Sequence, residues 1–298
     1  MDPICTESLS KRYGSTLALE SLDLVVRQGE VYGYLGPNGA GKTTTIRLLL
    51  GLHRASAGSA TLFGLDAWRD AVPAHRRLAY VAGEPFLWPA LTGAETLAYL
   101  GRLHGGTDES YRDLLVERFR LDTSKKVRAL SKGNRQKVQL VAAFATRADL
   151  LVLDEPTSGL DPLMELAFRD TVAEAKERGQ TVFLSSHILS EVEALCDRVG
   201  ILRDGRLIDE GTLAELRHLS TQTIEVTFAG EPPTLPDLPG SPRIETGDGT
   251  VRFEVVGDVR PLLAALAETQ VVGISTHVPS LEEIFLHHYD GSDGSAPA

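Results

Sequence analysis

Eight consecutive residues constrain this chain more than any other stretch. Gly36-Pro37-Asn38-Gly39-Ala40-Gly41-Lys42-Thr43 meets the spacing G-x-x-x-x-G-K-[ST] at every fixed position. At average residue usage, those fixed letters would arise by chance in about one chain of this length in a hundred. The flanks narrow the reading further. Val31–Leu35 reads as a short buried strand, and residues 44–50 as the start of a helix. Strand, glycine-rich turn and helix N-terminus together aim backbone N–H groups and a favourable dipole at one point, as a phosphate requires. Gly36, Gly39 and Gly41 let the backbone wrap an anion with no Cβ in the way. The run Gly36, Pro37, Asn38, Gly39, Ala40, Gly41, Lys42, Thr43 and Thr44 is therefore the candidate cradle. Lys42 would reach the β/γ-phosphates and the Thr43 hydroxyl would ligate Mg²⁺. The expectation is a nucleoside-triphosphate site.

Further along, Leu150-Leu151-Val152-Leu153 is an uninterrupted apolar run followed by Asp154-Glu155. A fully apolar strand belongs at the centre of a parallel sheet. Two carboxylates at its C-terminal end lie where ligands bind in open α/β sheets. After a phosphate loop, they point to Mg²⁺ and water chemistry. Thr181-Val182-Phe183-Leu184-Ser185 is a second core strand, ending in Ser186-His187, which makes His187 a site candidate. Ser131 is a plausible N-cap for a helix running to about residue 145. Residues 91–144 are mainly helical in pattern, with Gly105-Gly106 breaking two segments at about 91–103 and 111–121. They read as a helical insertion in a strand–helix alternating domain. A helix over 163–178 stops at Gly179, and one over 212–218 closes the first domain. Tyr13, upstream of the loop, is read by itself as a structural turn residue more often than as an aromatic that stacks on a base; its place in the motif order below favours the stacking reading.

At 298 residues the chain is long for one core, which predicts a large and a small domain. The second, residues 219–290, reads as α+β: strands at 223–228, 250–256 and 271–278, and helices at 259–269 and 280–288. Pro232, Pro233, Pro236, Pro239 and Pro242 crowd a segment unfit for sheet interior. Residues 291–298 have the composition of a disordered tail. A net charge of −11 argues against broad nucleic-acid binding, since phosphate backbones are held through Lys/Arg excess. Cys5 and Cys196 lack C-x-x-C spacing, so neither disulfide nor zinc is expected, in keeping with a reducing cytoplasm. The N-terminus has no signal-peptide pattern, and no apolar run approaches about 20 residues. Membrane work is expected only through a partner.

The ordered set is a phosphate loop, a Leu130-Ser131-Lys132-Gly133 helix start, an apolar strand ending Asp154-Glu155, then Ser158-Gly159-Leu160-Asp161 and Ser185-Ser186-His187. It resembles the nucleotide-binding subunit of an ABC transporter over residues 4 to about 218. The resemblance implies an α/β fold: a P-loop NTPase core of ABC type at 1–218, with a helical subdomain at about 87–145. It implies ATP and Mg²⁺ as cofactors and an ATPase that powers a separate membrane permease from the inner face of the cell membrane. Tyr13 would stack on adenine, and Asp154 would organise the Mg²⁺ shell with Thr43. Glu155 would be the general base, and His187 would contact the γ-phosphate. Asp161 would cross to a partner subunit. Ser131 and Gly133 would cap the γ-phosphate held by the other subunit of a head-to-tail homodimer. The helix Leu281-Glu282-Glu283-Ile284-Phe285-Leu286 resembles the C-terminal extension of bacterial drug- and antibiotic-export ATPases. A soluble ABC ATPase acting on ribosomes or DNA is the alternative. Such proteins usually carry two ABC domains, a long coiled coil or zinc-finger insertions, none of which this sequence shows.

Two positions depart from the usual pattern. Lys132 and Asn134 replace Gly and Gln in the Leu-Ser-Gly-Gly-Gln signature, although Ser131 and Gly133 are kept. Gly83 stands where the family usually has a Gln that contacts Mg²⁺ and water. Either Glu84 turns inward to supply an oxygen or water fills the place and Glu84 is solvated.

Overall fold

The site is positioned by one sheet whose central strands are buried on both faces. The computed structural model describes residues 1–219, 222–230, 243–245, 250–255, 259–267, 269–277 and 282. The chain divides into two compact units, Met1–Glu210 and Gly211–Ala298. The helix expected to close the first domain, Leu213–Leu219, therefore falls in the second unit.

The central sheet of the first unit runs in the order Arg206–Thr212, Arg198–Arg203, Val31–Leu35, Thr181–Ser186, Leu150–Asp154, Leu78–Val81. Val31–Leu35 pairs in parallel with both Thr181–Ser186 and Arg198–Arg203. Leu150–Asp154 likewise lies parallel between Thr181–Ser186 and Leu78–Val81. Every residue of Val31–Leu35, Leu150–Asp154 and Thr181–Ser186 is buried, which is why these strands read as continuous apolar runs with no alternation. Their register aligns the ends that carry the chemistry. Leu35 lies opposite Ser186, and Asp154 opposite Ser185. The phosphate loop, Glu155 and His187 thus leave the sheet side by side.

A second, antiparallel sheet is ordered Thr16–Val26, Ile4–Tyr13, Ala57–Leu62, Leu65–Asp66. Residues 4–31 alternate only weakly, yet they form a hairpin of two long strands turning between Tyr13 and Thr16. Leu9, Leu19, Leu22, Leu24 and Val26 share a core with Ile46, Leu48 and Leu49 of the helix Lys42–Leu49. The hairpin of Arg198–Arg203 and Arg206–Thr212 was not anticipated, although its turn is Asp204-Gly205 at φ 50° and 77°, a standard hairpin signal.

The helical segment contains Gly93–His104, Glu109–Arg118 and Lys132–Ala145. Thr92 and Glu95 cap the first reciprocally, Asp108 caps the second and Ser131 the third. The second helix stops short of the expected residue 121 because Arg120 turns left-handed at φ 47°.

The second unit holds an antiparallel sheet ordered Arg243–Glu245, Thr250–Val255, Gln222–Phe228, Val271–His277. Ile224, Val226, Phe228, Val251, Phe253 and Val255 pack against Leu262 and Leu266 of the helix Arg260–Leu266. The proline-rich segment at 232–242, the helix expected at 280–288 apart from residue 282, and the tail at 291–298 lie outside the described residues.

Candidate functional site

The phosphate loop closes between a buried strand and a helix whose first residue is Lys42. Gly39 and Gly41 take φ of 86° and 114°, where a side chain would be strained. Gly36 is glycine for a different reason: a Cβ there would lie 2.6 Å from the Leu202 carbonyl oxygen. Asn38 and Gly39 are exposed at the mouth, while Pro37, Thr43 and Thr44 are half-buried and Ala40 is buried. Lys42 is only 5 % exposed. Its ammonium donates to the carbonyls of Gly36 at 2.6 Å and Pro37 at 3.1 Å, so the loop folds around its own cation. Burial lowers the Lys42 pKa, against the pull of Glu155 and Asp154.

Asp154 is 5 % exposed and held at both oxygens. Ser185 Oγ donates to Oδ1 at 2.5 Å, and Thr43 Oγ1 donates to Oδ2 at 3.2 Å. Burial raises its pKa, with the two hydroxyls opposing. A hydroxyl and a carboxylate oxygen side by side are the hard donors that Mg²⁺ accepts. Among the described residues no group of three or more His, Cys, Asp or Glu side chains forms a cage, so phosphate and water oxygens would complete such a shell. In the sequence Ser185 is a strand end and the first residue of Ser185-Ser186-His187, with no role of its own. Its role follows from register, which sets it opposite Asp154.

Glu155 adopts φ 46°, a left-handed conformation that costs a non-glycine residue on the order of 1–3 kcal/mol. Its N–H donates to the Ser185 carbonyl at 3.0 Å, and its own carbonyl accepts from Ser158 N–H at 3.1 Å. The turn places Glu155 Oε1 3.2 Å from His187 Nδ1 and 3.8 Å from Lys42 Nζ. Three residues named from separate motifs therefore meet at one carboxylate oxygen. The His187 turn is anchored from below. Ser186 Oγ donates to the buried Glu191 at 2.7 Å and accepts from Ile188 N–H at 3.0 Å, a support that no motif announced. A Cβ on Gly83 would lie 3.2 Å from the Asp154 carbonyl and 3.6 Å from Glu155 Cβ, so this loop does border the acidic pair. Glu84 is exposed; the solvated alternative describes it here.

The signature residues lie elsewhere. Ser131 Oγ accepts from Asn134 N–H at 3.2 Å and so caps its helix. Gly133 faces the loop after Glu155, where a Cβ would lie 2.3 Å from the Gly159 carbonyl. Lys132 Nζ donates to Ser158 Oγ at 2.9 Å across the same contact. Asp161 caps the helix Pro162–Glu177 by accepting from Met164 N–H at 3.1 Å. Neither Ser131 nor Gly133 touches the phosphate loop among the described contacts. Tyr13, at the end of its strand, is 40 % exposed and shares a hydrogen bond with His53 Nδ1.

Comparison with known proteins identifies the family. The family model described as ABC transporter matches residues 19–158. A second, described as ATP-binding protein DrrA1-3-like, C-terminal domain, matches residues 211–289. The chain is 38 % identical over 301 residues to a daunorubicin resistance ATP-binding protein of Streptomyces coeruleorubidus, covering 95 % of both. It is also 38 % identical over 231 residues to a bacitracin transport ATP-binding protein of Bacillus licheniformis, covering 76 % of each. Among solved structures, the ATP-binding subunit of an ABC transporter superposes with a TM-score of 0.68 at 35 % identity, over 72 % of this chain and 91 % of that one. The resemblance read from the motifs is thereby confirmed, and the chain is an ATPase subunit of the ABC transporter family.

Proposed function

We propose that two copies of this chain bind ATP head to tail and drive export through a separate membrane permease from its inner face. The observation that carries the chemistry is the meeting of Lys42, His187 and Glu155 at one oxygen. Lys42 is already buried in the loop and exchanges its carbonyl partners for β/γ-phosphate oxygens. Glu155, held by its strained turn, takes the proton of the attacking water, and His187 steadies it and the γ-phosphate. Thr43 and Asp154 hold Mg²⁺, which supplies charge neutralisation when bound. Tyr13 stacks on the adenine.

Pairing is supported by what one chain lacks. It carries one phosphate loop and one signature helix start, and no described contact joins the two. A two-fold pair completes both sites, with Ser131 and Gly133 of each chain capping the ATP of the other and Asp161 at the crossing. The permease reading is supported by a groove of about 620 Å³ in the first unit, between the strand Leu78–Val81 and the helices Gly93–His104 and Lys132–Ala145. Phe86 on its rim is 98 % exposed, with Trp88, Leu52 and Leu103 also exposed. Contiguous apolar surface of this kind marks a protein partner. The names of the relatives, for bacitracin transport and daunorubicin resistance, favour an antibiotic-type cargo. The DrrA-like match supports a C-terminal extension of the exporter kind.

The shared site has a direct test. Lys42→Ala destroys a chain's own loop, and Ser131→Arg destroys only what it lends. Each variant alone should be inactive, while a mixture should regain turnover through one intact composite site per mixed dimer. A mixture as inactive as its parts refutes the head-to-tail arrangement.

A further inference from the structure

Tyr13 is the one aromatic assigned to the base, and it is not left to its own rotamers. Its ring meets the His53 imidazole edge-on, with centroids 5.6 Å apart at 74°, and its hydroxyl hydrogen-bonds to His53 Nδ1. The Lys11 ammonium lies 4.9 Å from the ring centroid and is itself held by the Arg54 carbonyl at 2.7 Å. His53 follows closely on the helix Lys42–Leu49 that begins in the phosphate loop, and its N–H donates to the Arg47 carbonyl at 3.2 Å. The ring is thus tied to the element that holds the phosphates, 40 residues away in sequence.

We propose that His53 is a positioning residue for base recognition: through the Tyr13 hydroxyl it fixes the ring as a platform at set distance from the phosphate loop. A purely structural role explains the pair less well. The strand end is already joined to the segment after the helix by Lys11 to the Arg54 carbonyl and by Arg12 N–H to Ser56 Oγ at 3.0 Å. A further bond from a tyrosine that is 40 % exposed adds little to that junction, but it does decide where the ring sits. An untethered tyrosine has three staggered χ1 wells, so releasing the hydroxyl dilutes the stacking orientation by about two- to threefold. His53 has this role only if Tyr13 is the base platform, as proposed above, so the experiment separates the two.

Affinities for ATP and for inorganic tripolyphosphate are measured by calorimetry on the full chain and on His53→Ala, Tyr13→Phe, their double variant and Tyr13→Ala. His53→Ala and Tyr13→Phe should each weaken ATP about two- to threefold, and in steady-state hydrolysis the loss should fall in KM rather than kcat. The double variant should lose no more than either single, because both remove the same bond. Tripolyphosphate, which has no base, should bind all four as it binds the parent. If Tyr13→Ala weakens ATP while His53→Ala does not, or if the two losses multiply, the role of His53 is refuted and the platform stands. If tripolyphosphate weakens in step with ATP, His53 is a fold contact and the inference fails. If Tyr13→Ala leaves ATP affinity unchanged, the platform itself is wrong and the inference falls with it.

Discussion

Replacing Gly133 by Ala tests whether the signature helix and the loop after Glu155 form one rigid contact. The new Cβ would sit 2.3 Å from the Gly159 carbonyl oxygen, and real Cβ atoms essentially never come under 3.0 Å. Backbone stands on both sides, so no flexible side chain absorbs the difference. One element must retreat by about 0.7 Å for the contact to become even tolerable. Overpacking of that kind costs typically 1–3 kcal/mol. The displacement would not stop at Gly159, because Ser158 is bonded to Lys132 and Asp161 caps the next helix. Urea unfolding of the nucleotide-free chain should therefore show a loss of about 1–3 kcal/mol, without a change in slope. The phosphate loop is not in this contact, so ATP affinity of the isolated chain should stay within about twofold, while turnover, if it proceeds in the proposed pair, should fall at least tenfold. Unchanged stability would show that the two backbones part freely and would refute the steric reasoning. Unchanged turnover with lost stability would detach the contact from the shared site.

The remaining outcomes follow from groups already described. Glu155→Gln should lower turnover roughly 10²–10⁴-fold with ATP binding retained, and turnover near the parent value would remove Glu155 from the role of base. Asp154 has a raised pKa in the folded protein, so its ionised form costs stability above the ordinary carboxylate range and nothing below it. Asp154→Asn should accordingly raise the melting temperature of the empty protein near neutral pH and abolish hydrolysis. That gain should vanish as the pH falls toward about 4; a gain that persists there is not electrostatic. Phe86→Glu should leave the turnover of the isolated chain unchanged but weaken capture of the permease from solubilised membranes roughly tenfold or more; undiminished capture would move the docking site off the groove.

What the sequence disclosed was local. Lys42, Asp154, Glu155 and His187 each stand next to a motif or at the end of an apolar strand, so residue order alone points to them. Ser185 escaped because a serine ending such a strand looks like a terminator; only the register that sets it opposite Asp154 gives it work. Gly133 was legible as a signature residue but not as a packing requirement, since Gly159 comes close only through tertiary structure. The partnership of Tyr13 with His53 was equally unreadable, joining a strand end to the far end of a helix. The hairpin at 198–212 is a different failure, because its Asp204-Gly205 turn was in plain view. Weakly alternating strands around it hid the signal.

The parallel register that aligns Leu35, Asp154 and Ser186 also fixes when the site can exist during synthesis. Val31 pairs with Val182, and Tyr32 with Arg198, so the strand that launches the phosphate loop has no sheet neighbour until the chain is about two-thirds made. At typical elongation rates the all-buried Val31–Leu35 waits roughly 8–30 s for its first partner, Thr181–Ser186. Contacts so distant in sequence must meet their loop-closure entropy before any pairing rewards it. A nascent chain ending before Thr181 therefore contains the complete loop motif yet cannot hold it in a sheet. ATP capture is therefore expected only once Ser186 and His187 have emerged, and nucleotide binding should report on the late stages of folding.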